Sequence, residues 1–163
     1  MFRGTHEAKV DEKGRLKLPA DFMKVIAEKN YGAAFFVTSR NGKKTEIWPM
    51  PEWEIEEAKK AALPEDDAAK NAWMQIVNHF GGVMEIDKQD RVMLTRKVRE
   101  RFGLINAEVV VRGQGKYLTV QTEQDAEQEI AEMLSPSDSD AKLITIAEAR
   151  LILAQRESQK QGF

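Results

Sequence analysis

Cysteine is absent from the 163 residues. That excludes disulfides and thiolate metal sites and fits a reducing, cytoplasmic setting. Histidine is scarce: His6 and His79 are the only two, and neither has a second ligand at metal-binding spacing, so no metal is expected. No apolar run approaches the roughly 18 residues of a membrane span, and Met1-Phe2-Arg3-Gly4 turns polar at once, unlike a secretory leader. No membrane partner is expected. A phosphate-cradling glycine loop is also missing, because Gly113-x-Gly115 lacks a third glycine and is not followed directly by a helix. No credible Ser/His/Asp arrangement exists. The expectation is therefore a non-enzyme with no cofactor and no small-molecule substrate. Aromatic residues make up only 7% of the chain and do not interleave with basic ones. They read as core or subunit-interface residues and not as a base-stacking platform.

A strong net charge is lacking too. The total is −2, which taken alone argues mildly against a nucleic-acid partner. The distribution says otherwise. Residues 1–17 carry five basic and three acidic side chains, and residues 84–102 carry six and four, so each stretch is +2. Residues 50–69 and 121–140 are −5 and −7. Such segregation steers a polyanion to one face even when the sum is near zero.

What is present is a repeat. Val10-Asp11-Glu12-Lys13-Gly14-Arg15-Leu16-Lys17-Leu18-Pro19 returns, degraded, as Ile86-Asp87-Lys88-Gln89-Asp90-Arg91-Val92-Met93-Leu94-Thr95, at a constant offset of 76 residues. Each copy keeps Asp-x-x-x-Arg between short β-type runs. Periodicity and turn chemistry then give each unit the order strand, strand, helix, strand, strand, helix. The fold class expected is α+β, with a first module over 1–62, a connecting helix over 63–80, a second module over 81–134, and a linker and C-terminal helix over 135–163. Within these, Trp73, Ile76, Val77 and Phe80 share a helical face, Pro49 stops a strand, and Thr145 opens a capping box for the last helix. A lone module of this size buries too little surface to be stable, so pairing or oligomerisation is expected.

The turns carry the candidate site. Asp11 and Asp87 stand where a carboxylate accepts backbone N–H groups, and Gly14 stands where a left-handed backbone is common. They read as structural turn residues and not as paired catalytic acids. Alternation in Arg15-Leu16-Lys17-Leu18 points Leu16 and Leu18 inward and Arg15 and Lys17 outward. An outward Arg on a β-ribbon reaches guanine or phosphate; equally, Arg15 can pair with Asp11 and hold the hairpin shut. Lys13 and Lys17 are candidate phosphate contacts, with Arg3, Lys9 and Arg91 behind them. The second hairpin has Glu85, Gln89 and Met93 where the first has Lys9, Lys13 and Lys17, and Asp90 adjoins Arg91. The first hairpin is therefore expected to make most of the contact. Arg96, Lys97, Arg99 and Arg101 read as a solvated or interface face.

Phe2-Arg3-Gly4, the first Asp-x-x-x-Arg stretch, Trp48-Pro49-x-Pro51-x-Trp53 and Ile86-Asp87-Lys88-Gln89-x-Arg91 resemble the MraZ family over roughly residues 1–134. The resemblance implies a swapped-hairpin β-barrel of the AbrB/SpoVT type and a ring-shaped homo-oligomer. It also implies a nucleoid-associated repressor that binds double-stranded DNA at short direct repeats in the promoter of its own division and cell-wall operon. The competing expectation is a non-enzymatic oligomeric scaffold whose basic hairpins bind an acidic protein partner.

Overall fold

A computed structural model of the chain describes residues 1–135 and 146–161. Two compact units are present, Met1–Glu123 and Gln124–Phe163. The first is built from β1 (Thr5–Val10), β2 (Arg15–Lys17), α1 (Ala20–Glu28), β3 (Ala34–Thr38), β4 (Thr45–Pro49), α2 (Met50–Ala61), α3 (Ala68–Phe80), β5 (Gly82–Glu85), β6 (Arg91–Met93), α4 (Arg96–Phe102), β7 (Ala107–Gly113) and β8 (Leu118–Thr122). The helices α5 (Glu123–Leu134) and α6 (Ile146–Gln161) follow. The capping box at Thr145 and most of the expected linker lie outside the described residues. No helix among the described residues is long and apolar enough to cross a membrane.

All eight strands form one antiparallel sheet in the order β5-β3-β4-β8-β7-β1-β2-β6. Its two terminal strands, β5 and β6, come together, so the sheet is a nearly closed barrel. This is the α+β swapped-hairpin arrangement that the sequence resemblance implies. The central element is a pairing between the repeats. β2 runs antiparallel to β6, with Arg15 opposite Met93, Leu16 opposite Val92 and Lys17 opposite Arg91. Leu18 N–H donates to the Asp90 carbonyl and Leu94 N–H to the Gly14 carbonyl, each at 2.9 Å. Because 76 residues separate each of these equivalent pairs, the ribbon has a local pseudo-twofold axis through Leu16 and Val92.

Alternation decides what each strand face buries. Val10, Leu16, Phe35, Val37, Ile47, Val92, Val111, Leu118 and Val120 line the barrel interior and are fully buried. The opposite face of β3 and β4 presents Phe36 and Trp48 to a second apolar cluster, which α2 and α3 close with Trp53 and Val77. Trp53 stacks on Trp73 at 5.5 Å. Asp67 caps α3, accepting from Lys70 N–H at 2.8 Å. Ile76, expected on the buried face, is 40% exposed. Pro49 is the last residue of β4 and not a residue beyond it. It pairs with β3 opposite Phe35, while β8 has already ended opposite Ile47, so its missing N–H costs no ladder bond on that side.

Candidate nucleic-acid interface

The two Asp-x-x-x-Arg turns are built alike, atom for atom. Asp11 Oδ1 accepts from the N–H groups of Lys13 and Arg15, both at 2.9 Å. Asp87 Oδ1 accepts from those of Gln89 and Arg91 at 2.8 and 3.0 Å. In each turn the other oxygen takes the Arg Nε at 2.8 Å. The amide hydrogen bond from Arg15 is the main cause holding the Asp11 carboxyl below its ordinary value, and that from Arg91 does the same for Asp87. Both turns need a left-handed residue before the Arg. Gly14 supplies it at φ 83° and Asp90 at φ 62°. Each carboxylate is thus engaged by its own turn, and the two do not converge on a pocket.

The ion-pair role and the outward role of Arg15 coexist. The salt bridge uses Nε, and the side chain remains 28% exposed. Among the described residues its Nη groups have no hydrogen-bond partner. Asp11 therefore fixes the guanidinium where it leaves the turn.

The sheet then gathers the cations. On the outer face of the ribbon, Arg15 and Lys17 of β2 stand opposite Met93 and Arg91 of β6. The register that pairs Val10 with Leu16 sets Lys9 beside Lys17, and both line one shallow groove with Glu7, Leu18 and Pro19. Lys9, Lys17 and Arg91 consequently form a row across three adjacent strands, bounded by Glu108 opposite Lys9 on β7. Like charges directly opposite one another destabilise a sheet unless an anion screens them. Lys13 is exposed at the tip of the first turn. Arg3 is exposed at the other end of β1, about 20 Å along the strand from that turn, beside the bridge between Phe2 and Gly115. The fold therefore brings Lys9, Lys13, Arg15, Lys17 and Arg91 together and leaves Arg3 apart.

Two features go beyond the residue-level reading. One is Arg99, whose side chain occupies the space a Cβ would fill at Gly14 and donates through Nε to the Leu94 carbonyl at 3.1 Å. Gly14 is thus required for space as well as for φ. The other is Arg40, which meets both oxygens of Glu46 at 2.9 and 3.1 Å and donates to the Tyr117 hydroxyl at 3.0 Å. It also lies 4.9 and 5.0 Å from the stacked rings of Trp48 and Tyr117. Glu46, the one charged residue of β4, was the available signal for it. Its ion pair, its bond to Tyr117 and its ring contacts engage it within the scaffold.

Comparison with known proteins gives a consistent result. Residues 1–75 match a family described as "MraZ protein, putative antitoxin-like". A protein named transcriptional regulator MraZ in Acidobacterium capsulatum is 48% identical over 120 residues, covering 74% of this chain and 81% of that protein. One of the same name in Koribacter versatilis is 43% identical over 80% of this chain and 88% of its own length. Another, in Neisseria meningitidis, is 31% identical over 86% and 90%.

Proposed function

The chain belongs to the MraZ family, and on that premise we propose that it is a DNA-binding transcriptional regulator, a repressor of its own division and cell-wall operon. The observation that carries this reading is the cationic row of Lys9, Lys17 and Arg91 with Arg15 one step beyond, all on the outer face of the β2–β6 ribbon and the adjoining β1. A two-stranded ribbon fits the major groove of a duplex. Arg15, fixed through Nε, offers its Nη edge to a guanine. Lys9, Lys13, Lys17 and Arg91 take phosphates. Neutralising about four phosphates gives each chain a salt-sensitive but weak grip, with a logarithmic slope of roughly −3 to −4. A ring of copies over short direct repeats raises the joint affinity without any new contact. The protein acts in the cytoplasm, at the nucleoid, and needs no cofactor.

The test compares two duplexes by fluorescence anisotropy: the fragment immediately upstream of the chain's own coding sequence, and a random sequence of equal length. Arg15→Ala is expected to cut the preference for the upstream fragment about 10- to 100-fold, the worth of one bidentate base contact. Native mass is expected to stay the same. Arg91→Ala is expected to cost less. Retained preference in Arg15→Ala would remove the base-reading role. Displacement of the duplex by polyglutamate as readily as by competitor DNA would favour the scaffold reading.

A further inference from the structure

The β2–β6 ribbon does not contain all the outward positive charge of the first unit. Helix α4 carries Arg96, Lys97, Arg99 and Arg101 against a single acid, Glu100, which pairs with Arg96 at 3.4 Å on the surface. The helix is anchored at both sides to turns. On one side Arg99 packs across Gly14, immediately beside Lys13 and Arg15. On the other, Arg101 Nε donates to the Gly42 carbonyl at 2.6 Å, across 59 residues of sequence. Arg101 is held over the rings of Phe80 and Phe102, at 5.7 and 6.0 Å. Gly42 is the left-handed apex of the β3–β4 turn, at φ 69°, and the next residue, Lys43, is exposed. Lys97 and Arg101 line an open depression together with His79, Phe80 and Glu100. Positive side chains thus stand on both flanks of α4, Arg99 toward the first turn and Lys97 and Arg101 toward the β3–β4 turn, with Glu100 between them on the exposed side.

We propose that α4 and the β3–β4 turn form a second strip of duplex contact, in which Lys97, Arg101 and Lys43 grip the phosphate backbone flanking the stretch that the ribbon reads. The inference rests on the DNA-binding reading and extends it. The strip's cations sit on a helix flank and a turn apex, geometries that reach backbone oxygens and carry no base preference. Arg99 seats α4 against Gly14, so the strip flanks the first turn and meets the same duplex from beside it. It adds affinity without altering which sequence is preferred.

The experiment uses the full chain with Lys43→Gln and Lys97→Gln combined. Arg101 is left in place because it holds the β3–β4 turn. Affinity for the upstream fragment and for the random duplex is measured across a salt series, with native mass recorded in parallel. The expected result is an equal loss on both duplexes, a salt slope smaller by about 2, an unchanged preference ratio and an unchanged mass. An unchanged slope would overturn the strip. So would a loss of binding that tracks a change in native mass, since the two lysines would then belong to a contact between subunits. A changed preference ratio would overturn the claim that the strip is blind to sequence. The ribbon is judged separately, on the preference ratio of Arg15→Ala, so failure of one reading is distinguishable from failure of the other.

Discussion

Asp11 and Asp87 show how one side chain can define a turn. Each accepts two backbone amides and fixes one arginine, and every partner lies within four residues. Such a closed local set is legible in a sequence, which is why the Asp-x-x-x-Arg frame, the left-handed glycine and its Asp90 counterpart could be read from the residues alone. Arg99 at Gly14 could not, because 85 residues separate them and no local rule connects the two. The same hydrogen bonds set a pH dependence. Both carboxyls sit below the ordinary value of 3.8 in the folded chain. Their stabilisation of the turns is therefore fully present above that value and is lost as the pH falls through the lower folded value. In an NMR titration, the amide protons of Lys13, Arg15, Gln89 and Arg91 are expected to shift with midpoints under 3.8. Midpoints above that value would mean that the carboxylates do not hold the turns.

At the scale of elements, alternation showed correctly that Leu16 faces inward and Lys17 outward, because it depends only on the two-residue repeat of a strand. It could not show which strand lies alongside. The β2–β6 pairing is a choice between distant segments, made by Leu16 and Val92 burying one another at the barrel core. Ile76 exposes the converse weakness: three residues of its helical stripe suffice to seat α3, and the fourth stays outside. The ribbon also suggests a gain-of-function change. Met93 occupies the position equivalent to Lys17 and stands opposite Arg15. Met93→Lys is expected to steepen the salt slope of DNA binding by about 0.9 and to tighten binding at low salt. Without DNA it is expected to lower stability by a few tenths of a kcal/mol up to ~1 kcal/mol, from like charges set opposite. Thermal melting and anisotropy together check this, and weaker binding at low salt would count against the ribbon as the contact face.

At the scale of the molecule, the repeats are interleaved. β4 pairs with β8, β1 with β7 and β2 with β6, so every one of those contacts joins the first half of the chain to the second. A fragment ending at Phe80 leaves β1, β2, β3 and β4 each with a bare edge and opens the barrel interior to water. Such a fragment, residues 1–80, is expected to show no cooperative melting by circular dichroism. Adding residues 81–163 is expected to restore it, and a sharp transition from the first fragment alone would mean that each half folds unaided. The Arg40, Glu46 and Tyr117 cluster straddles the same seam, tying the β3–β4 turn to the start of β8.

The unequal decoration of the two matched turns has one more consequence. A perfectly balanced pair of arms would sit on a double helix equally well facing upstream or downstream. Here one arm carries Lys13, Arg15 and Lys17, while the other has Gln89 and Met93 at the matching lysine positions and keeps only Lys88 and Arg91. On the proposed function the molecule has a heading, and copies bound in series along a promoter all point the same way.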